Sequence, residues 1–154
     1  MNKSIRKLMW VLFLLYLIML LLILFGDNIF VRDANRHPLV NHINLEPFFE
    51  IRRYIDAFSN HSIHLKYVIA NLWGNIVLFM PFTVFLAVMF KPFSRWYVTL
   101  PFMALVICSV EILQYMTRRG SCDIDDFILN FLGSVVAFAA VFFLKKVLTK
   151  RATL

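Results

Sequence analysis

Charge is what this chain has least of. Asp, Glu, Lys and Arg make up 16% of its 154 residues, while 61% are apolar. A soluble domain is closer to a quarter charged and about half apolar. With a mean hydropathy of +0.76, the balance excludes an ordinary water-soluble globule and fits a chain whose solvent is lipid. Cysteine is scarce as well. Cys108 sits in an apolar run and Cys122 in a polar turn. A mostly helical stretch between them would hold them about 15–20 Å apart at 1.5 Å per residue. A disulfide needs Cα atoms within about 7 Å, so two free thiols are expected, and no zinc-ligand spacing is present. Repeats and low-complexity segments are missing too. Acid is outnumbered by base, for a net charge of +7. Basic residues beside apolar spans are topology signals, so that excess is not read as a nucleic-acid footprint and no nucleic-acid partner is expected.

Long uncharged runs are what the chain has instead. A bilayer core takes about 20 apolar residues in a helix. Four stretches qualify, at about residues 8–25, 67–90, 96–116 and 127–144. They are too long for buried strands, and an open sheet edge cannot sit in lipid. Pro81 should kink the second span by removing a backbone donor. The first run follows Lys3, Arg6 and Lys7 and reads as an uncleaved signal anchor. The expected fold class is all-α: a polytopic membrane protein with a four-helix bundle. One domain is expected over residues 1–154.

Basic residues set the expected orientation. Lys3, Arg6, Lys7, Lys91, Arg95, Lys145, Lys146, Lys150 and Arg151 crowd three short segments that share one side. The opposite segments, 26–66 and 117–126, are sparser in base, so both termini are expected in the cytoplasm. In the outer loop 26–66, Phe48, Ile51, Ile55 and Phe58 recur at helical spacing, with Glu50, Arg52, Arg53 and Asp56 between them. Residues 46–58 thus read as a short amphipathic helix with Pro47 in its first turn, lying on the outer leaflet or packed on the bundle. His37, His42, His61 and His64 read as solvated, with His61 and His64 a metal candidate.

Ionisable and amide groups inside spans are expensive, so each is a functional candidate. In this topology they converge. Asn71 and Asn75 share a face at the outer start of the second span. Glu111 and Gln114 are three apart at the outer end of the third. Arg118, Arg119, Asp123, Asp125 and Asp126 follow in the turn. Asp126, Asn130 and Gly133 form one stripe at the start of the fourth span. Plainer roles stand beside each. The aspartates could cap the fourth helix, Gly133 and Ser134 could permit close packing, and the asparagines could be interhelical hydrogen-bond partners. Glu111 could pair with Arg118 or Arg119. The number of carboxylates exceeds what capping needs, and burying them together should raise at least one pKa.

These residues are also where the sequence resembles the VanZ-like family, membrane proteins associated with teicoplanin resistance. The matching pieces are Asn44-Leu45-Glu46-Pro47-Phe48, then Asn71-Leu72-Trp73-Gly74-Asn75 continuing to Pro81-Phe82. Glu111-Ile112-Leu113-Gln114 follows, then Asp123-Ile124-Asp125-Asp126 with Asn130 and Gly133. Together they cover about residues 44–135. Thr83 stands where the family usually has Gly, read as a local packing change. The resemblance implies a bacterial plasma-membrane protein linked to glycopeptide susceptibility through the cell envelope.

Two functional readings result. In the first, a membrane-embedded enzyme acts on a lipid-linked envelope precursor or an anionic lipid head group. Glu111 or Asp126 would be general acid or base. Arg118 and Arg119 would hold phosphate or carboxylate, Asp123 and Asp125 a divalent cation, and Asn71, Asn75, Gln114 and Asn130 the substrate. In the second, the outer loop binds a lipophilic glycopeptide without catalysis, through Phe48, Phe49, Tyr54 and Phe58. Transport is a third reading, but no charged residue lies in the inner half of a span to relay protons.

Overall fold

The computed structural model describes residues 2–26, 43–61 and 64–152. His37, His42 and most of the outer loop before Ile43 lie outside the described residues. The order is α1 (Lys3–Phe25), β1 (Ile43–Asn44), α2 (Phe49–Ser59), α3 (Leu65–Leu78), α4 (Met80–Met89), a 3₁₀ turn (Pro92–Ser94), α5 (Trp96–Met116), β2 (Cys122–Asp123) and α6 (Ile124–Ala152). Four segments are long and apolar enough to cross a membrane: α1, the α3–α4 pair, α5 and α6. The fold is therefore an all-α polytopic bundle.

α6 is the central helix and packs against α3, α4 and α5, while α1 docks on α4. Small residues let α6 take that place. Ser134 and Ala137 are buried, and a Cβ at Gly133 would stand 1.8 Å from the carbonyl oxygen of Ile76 on α3. The core joins Phe13, Tyr16, Leu20 and Leu24 of α1 to Phe79, Leu86, Met103 and Ile107. α6 begins earlier and ends later than its uncharged stretch suggests. Asp125 and Asp126 complement the helix dipole at its start, and Lys145, Lys146 and Lys150 suit its end.

Pro81 breaks the second span as expected. The break falls at Phe79, which ends α3 and precedes α4. A proline has no N–H to give the preceding turn, and freed carbonyls within lipid need other donors. Tyr16 of α1 supplies one, its hydroxyl donating to the Leu78 carbonyl at 2.7 Å. The Phe79 carbonyl keeps its helical partner, the Thr83 N–H at 3.1 Å, and the Thr83 Oγ1 adds a second bond to it at 3.1 Å.

Contacts also fix which ends lie together. Trp10 near the start of α1 meets Phe90 at the end of α4, and Lys145 on α6 donates to the Ala87 carbonyl at 2.7 Å. Both termini therefore share the face that carries the 90–95 turn. The opposite face carries the end of α1, the start of α3, the end of α5 and the start of α6. There the two short strands pair in parallel, Ile43 with Cys122 and Asn44 with Asp123, an element the sequence reading lacked. Both cysteines are free. The turn after α5 folds back and brings Cys122 within electrostatic range of Cys108. The straight-helix estimate of their separation does not allow for that fold.

Candidate functional site

At the head of α6, three consecutive turns of helix present Asp126, Asn130 and Ser134 along one stripe. Asn130 and Ser134 are buried, and Asp126 is half-buried. Asn75 of α3 donates its Nδ2 to Asp126 Oδ1. Glu111 of α5 is only 5% exposed, and the charged groups acting on it are Asp126 and Asp123. Three helices thus bring Asn75, Glu111 and Asp126 together, with Asn130 one turn deeper on α6. Two of these groups carry unpartnered acceptors. Glu111 Oε2 and Asn130 Oδ1 are buried and have no hydrogen-bond partner among the described residues. Buried polar atoms are nearly always paired, so these two acceptors, one on α5 and one on α6, are candidates to accept from a ligand.

The neighbouring aspartates do different work. Asp125 is 1% exposed and turns away from the stripe. Its Oδ1 accepts the Phe48 N–H at 2.5 Å, and its Oδ2 accepts those of Glu50 at 2.9 Å and Ile51 at 3.2 Å. These are the free donors at the start of α2, which no side chain of its own caps. Asp125 is therefore an N-cap supplied by another helix. It also offsets the left-handed backbone of Phe48, at φ 65°, a conformation that costs a non-glycine residue about 1–2 kcal/mol. Pro47 consequently lies in the turn before α2 rather than inside its first turn. Asp123 caps its own helix, Oδ1 accepting the Asp125 N–H at 2.9 Å and the Asn44 Nδ2 at 3.2 Å. Burial pushes the Asp123 carboxyl above the usual range, opposed by those two donors and by Arg53. Burial and the nearby Glu111 push the Cys122 thiol up as well. Among the described residues, no three His, Cys, Asp or Glu side chains are placed to hold a metal ion. Asp125 spends both oxygens on α2.

Gln114 and Arg119 reach the end of α1. Gln114 Nε2 donates to the Leu24 carbonyl at 3.1 Å, and Arg119 Nη1 donates to that of Phe25 at 2.7 Å. They satisfy the open carbonyls of a helix C-terminus. Arg118 is exposed, with a left-handed backbone at φ 55°. Asn71 is half-buried one turn before Asn75. Arg53 of α2 acts on Asp123 and also pairs with Glu50 at 2.6 Å.

Sequence reasoning missed Arg53 and the Asn44–Asp123 pair as parts of this region. Asn44 stood in a quoted motif, but nothing local says that it meets a residue 79 positions later. α2 lies beside α3 and α6. Glu50, Ile51, Tyr54 and Ala57 are half-buried, while Phe48, Phe49, Ile55 and Phe58 stay exposed. The helix both touches the bundle and keeps an apolar edge free. Its polar side carries an open groove of ≈ 490 Å³ lined by Glu46, Phe49, Arg52, Arg53, Asp56 and Ala57, which none of the four cluster residues lines.

No curated protein and no solved structure is significantly similar to this chain. The sequence model of one family, VanZ/LLP1, matches residues 10–145. That match runs from the first turns of α1 to the last third of α6, through every residue of the buried cluster, and the chain belongs to the VanZ/LLP1 family.

Proposed function

We propose that this protein works in the bacterial plasma membrane, with both termini cytoplasmic. There its buried cluster acts on a lipid-linked envelope component at the outer leaflet and gives low-level teicoplanin resistance. Glu111 and Asp126 are the acid and base, and Asn75 and Asn130 orient the substrate. The observation that carries this reading is a nearly buried glutamate with a free oxygen beside a second carboxylate. Such pairs are how proteins tune one carboxyl to give a proton and the other to take it. Asp126, on the first turn of α6, faces the substrate. Gln114, Arg119 and Asp125 hold α1 and α2 in place, so the reading needs neither the arginine pair nor a metal.

The test is Glu111→Gln and Asp126→Asn, compared with the wild type at equal membrane levels. Lipid and cell-wall precursor profiles are read beside teicoplanin susceptibility. Both variants should lose protection and restore the profile of cells lacking the protein. Full protection by both would end the acid–base reading.

The exposed apolar edge of α2 favours a second reading, in which the loop binds a lipophilic glycopeptide without chemistry. Phe49→Ala with Phe58→Ala should then abolish drug binding while Glu111→Gln retains it. Equal protection against vancomycin would count against this reading.

A further inference from the structure

The free acceptors at the head of α6 specify the chemistry of what fills them. Glu111 Oε2 and Asn130 Oδ1 are both acceptors, on residues 5% and 3% exposed. Asp126, one turn above Asn130, adds a carboxylate whose Oδ1 already takes the Asn75 amide. Four residues along α6 span about 6 Å, so Asp126 and Asn130 fall within the size of one small head group, and Glu111 lies close enough to Asp126 to feel its charge. No donor side chain among the described residues reaches the two free atoms, and the charged groups that act on Glu111 and Asp126 include other carboxylates, Asp123 on both and Glu50 and Asp125 on Asp126. An anionic group would face these carboxylates. A quaternary ammonium would satisfy the charge but offer no N–H. A primary ammonium brings three donors and one positive charge. Asp126 and Asn75 are half-buried and stand on the outer side of Asn130. The depth corresponds to the first turns of a spanning helix, where lipid head groups meet the hydrocarbon.

We propose that Glu111, Asp126 and Asn130 form a binding site for a primary ammonium group entering from the outer leaflet. The site resting on the acid–base reading would take such a group as the handle of its substrate. Binding is a separate claim and requires no turnover. The ammonium could belong to a lipid head group or to the amino side chain of a lipid-linked peptide, and the shared chemistry is the same.

The experiment uses the full chain in nanodiscs of phosphatidylcholine, with phosphatidylethanolamine added as a minor lipid. After extraction, the lipid retained by the protein is counted by native mass spectrometry. Ethanolamine lipid should be enriched over choline lipid about tenfold, the worth of one charge-assisted hydrogen bond. Glu111→Gln and Asn130→Leu should each remove the enrichment, with Asp56→Asn, an exposed residue of α2, as the control outside the site. A second arm adds soluble lysine methyl ester to the discs. Displacement of the lipid would assign the site to primary amines in general, and lipid retention without displacement would assign it to the lipid head group. Equal retention of the two lipids by the wild type would overturn the proposal, whether or not the variants fold. Enrichment that persists in both Glu111→Gln and Asn130→Leu would overturn it too. If enrichment is seen but the Glu111→Gln precursor profile matches the wild type, binding stands and the acid–base chemistry fails.

Discussion

Replacing Asp125 by alanine would leave three N–H donors at the start of α2 facing a methyl group. Losing an N-cap acceptor costs about 0.5–2 kcal/mol, so Asp125→Ala should lower the thermal unfolding midpoint in detergent clearly. Asp125→Asn keeps one carbonyl oxygen and should lower it less. The glycines make a second contrast. Gly133→Ala puts a methyl group onto the Ile76 carbonyl, and overpacking of that kind costs about 1–3 kcal/mol. Gly74→Ala meets nothing within 4 Å and should be neutral or slightly stabilising in the same assay. Asp123 carries a pH prediction. Its folded pKa is raised, so the fold favours the protonated form. Its contribution to stability is complete below the ordinary aspartate value of about 4, and it is lost as pH rises towards the folded value. The difference in unfolding midpoint between wild type and Asp123→Asn, followed from acid to neutral pH, should fall in that direction. A rising difference would contradict it. At this scale the sequence was informative where spacing decides. The stripe of Asp126, Asn130 and Gly133 was legible, and Asp125 lies off it by about 100° at 3.6 residues per turn. What Asp125, Gln114 and Arg119 turn towards was not legible, because each is satisfied by backbone from a distant part of the chain.

Helix breaks and helix ends decide the next level. The kink at Phe79 follows from one proline and is stabilised by a tyrosine in another helix. Tyr16→Phe removes the donor to the Leu78 carbonyl, and the loss of a hydrogen bond that leaves an acceptor unmatched costs about 1–3 kcal/mol. The expected result is a lower unfolding midpoint, with faster hydrogen exchange confined to the turns around Phe79. An unchanged exchange pattern would mean that the kink holds itself. The spans were legible because long uncharged runs have few alternatives in lipid. Their ends were less so, since charges that read as a stop in the sequence are favourable at helix termini. Amphipathic spacing revealed α2, and its N-terminal boundary shifted because its cap comes from α6.

Across the whole molecule, alternating spans place the termini and the 90–95 turn on one face and the buried cluster on the other. Single cysteines at Arg118 and Lys91, made in a variant lacking Cys108 and Cys122, should differ in whole cells. The first should react with a membrane-impermeant maleimide, and the second only after lysis. Reversal would put the proposed site on the cytoplasmic side. The count and alternation of the spans made the shared face legible, whereas the Asn44–Asp123 and Arg53–Asp123 contacts depend on the loop returning to the bundle. The cap on α2 also has a consequence for biogenesis. Asp125 and the Phe48 N–H that it accepts are 77 residues apart, with two membrane crossings made between them. On the ribosome, α2 is therefore born long before its cap. Until the last crossing leaves the translocon, it has α3 to pack against but not the carboxylate that caps it, and the final helix to be made is the one that fixes its place.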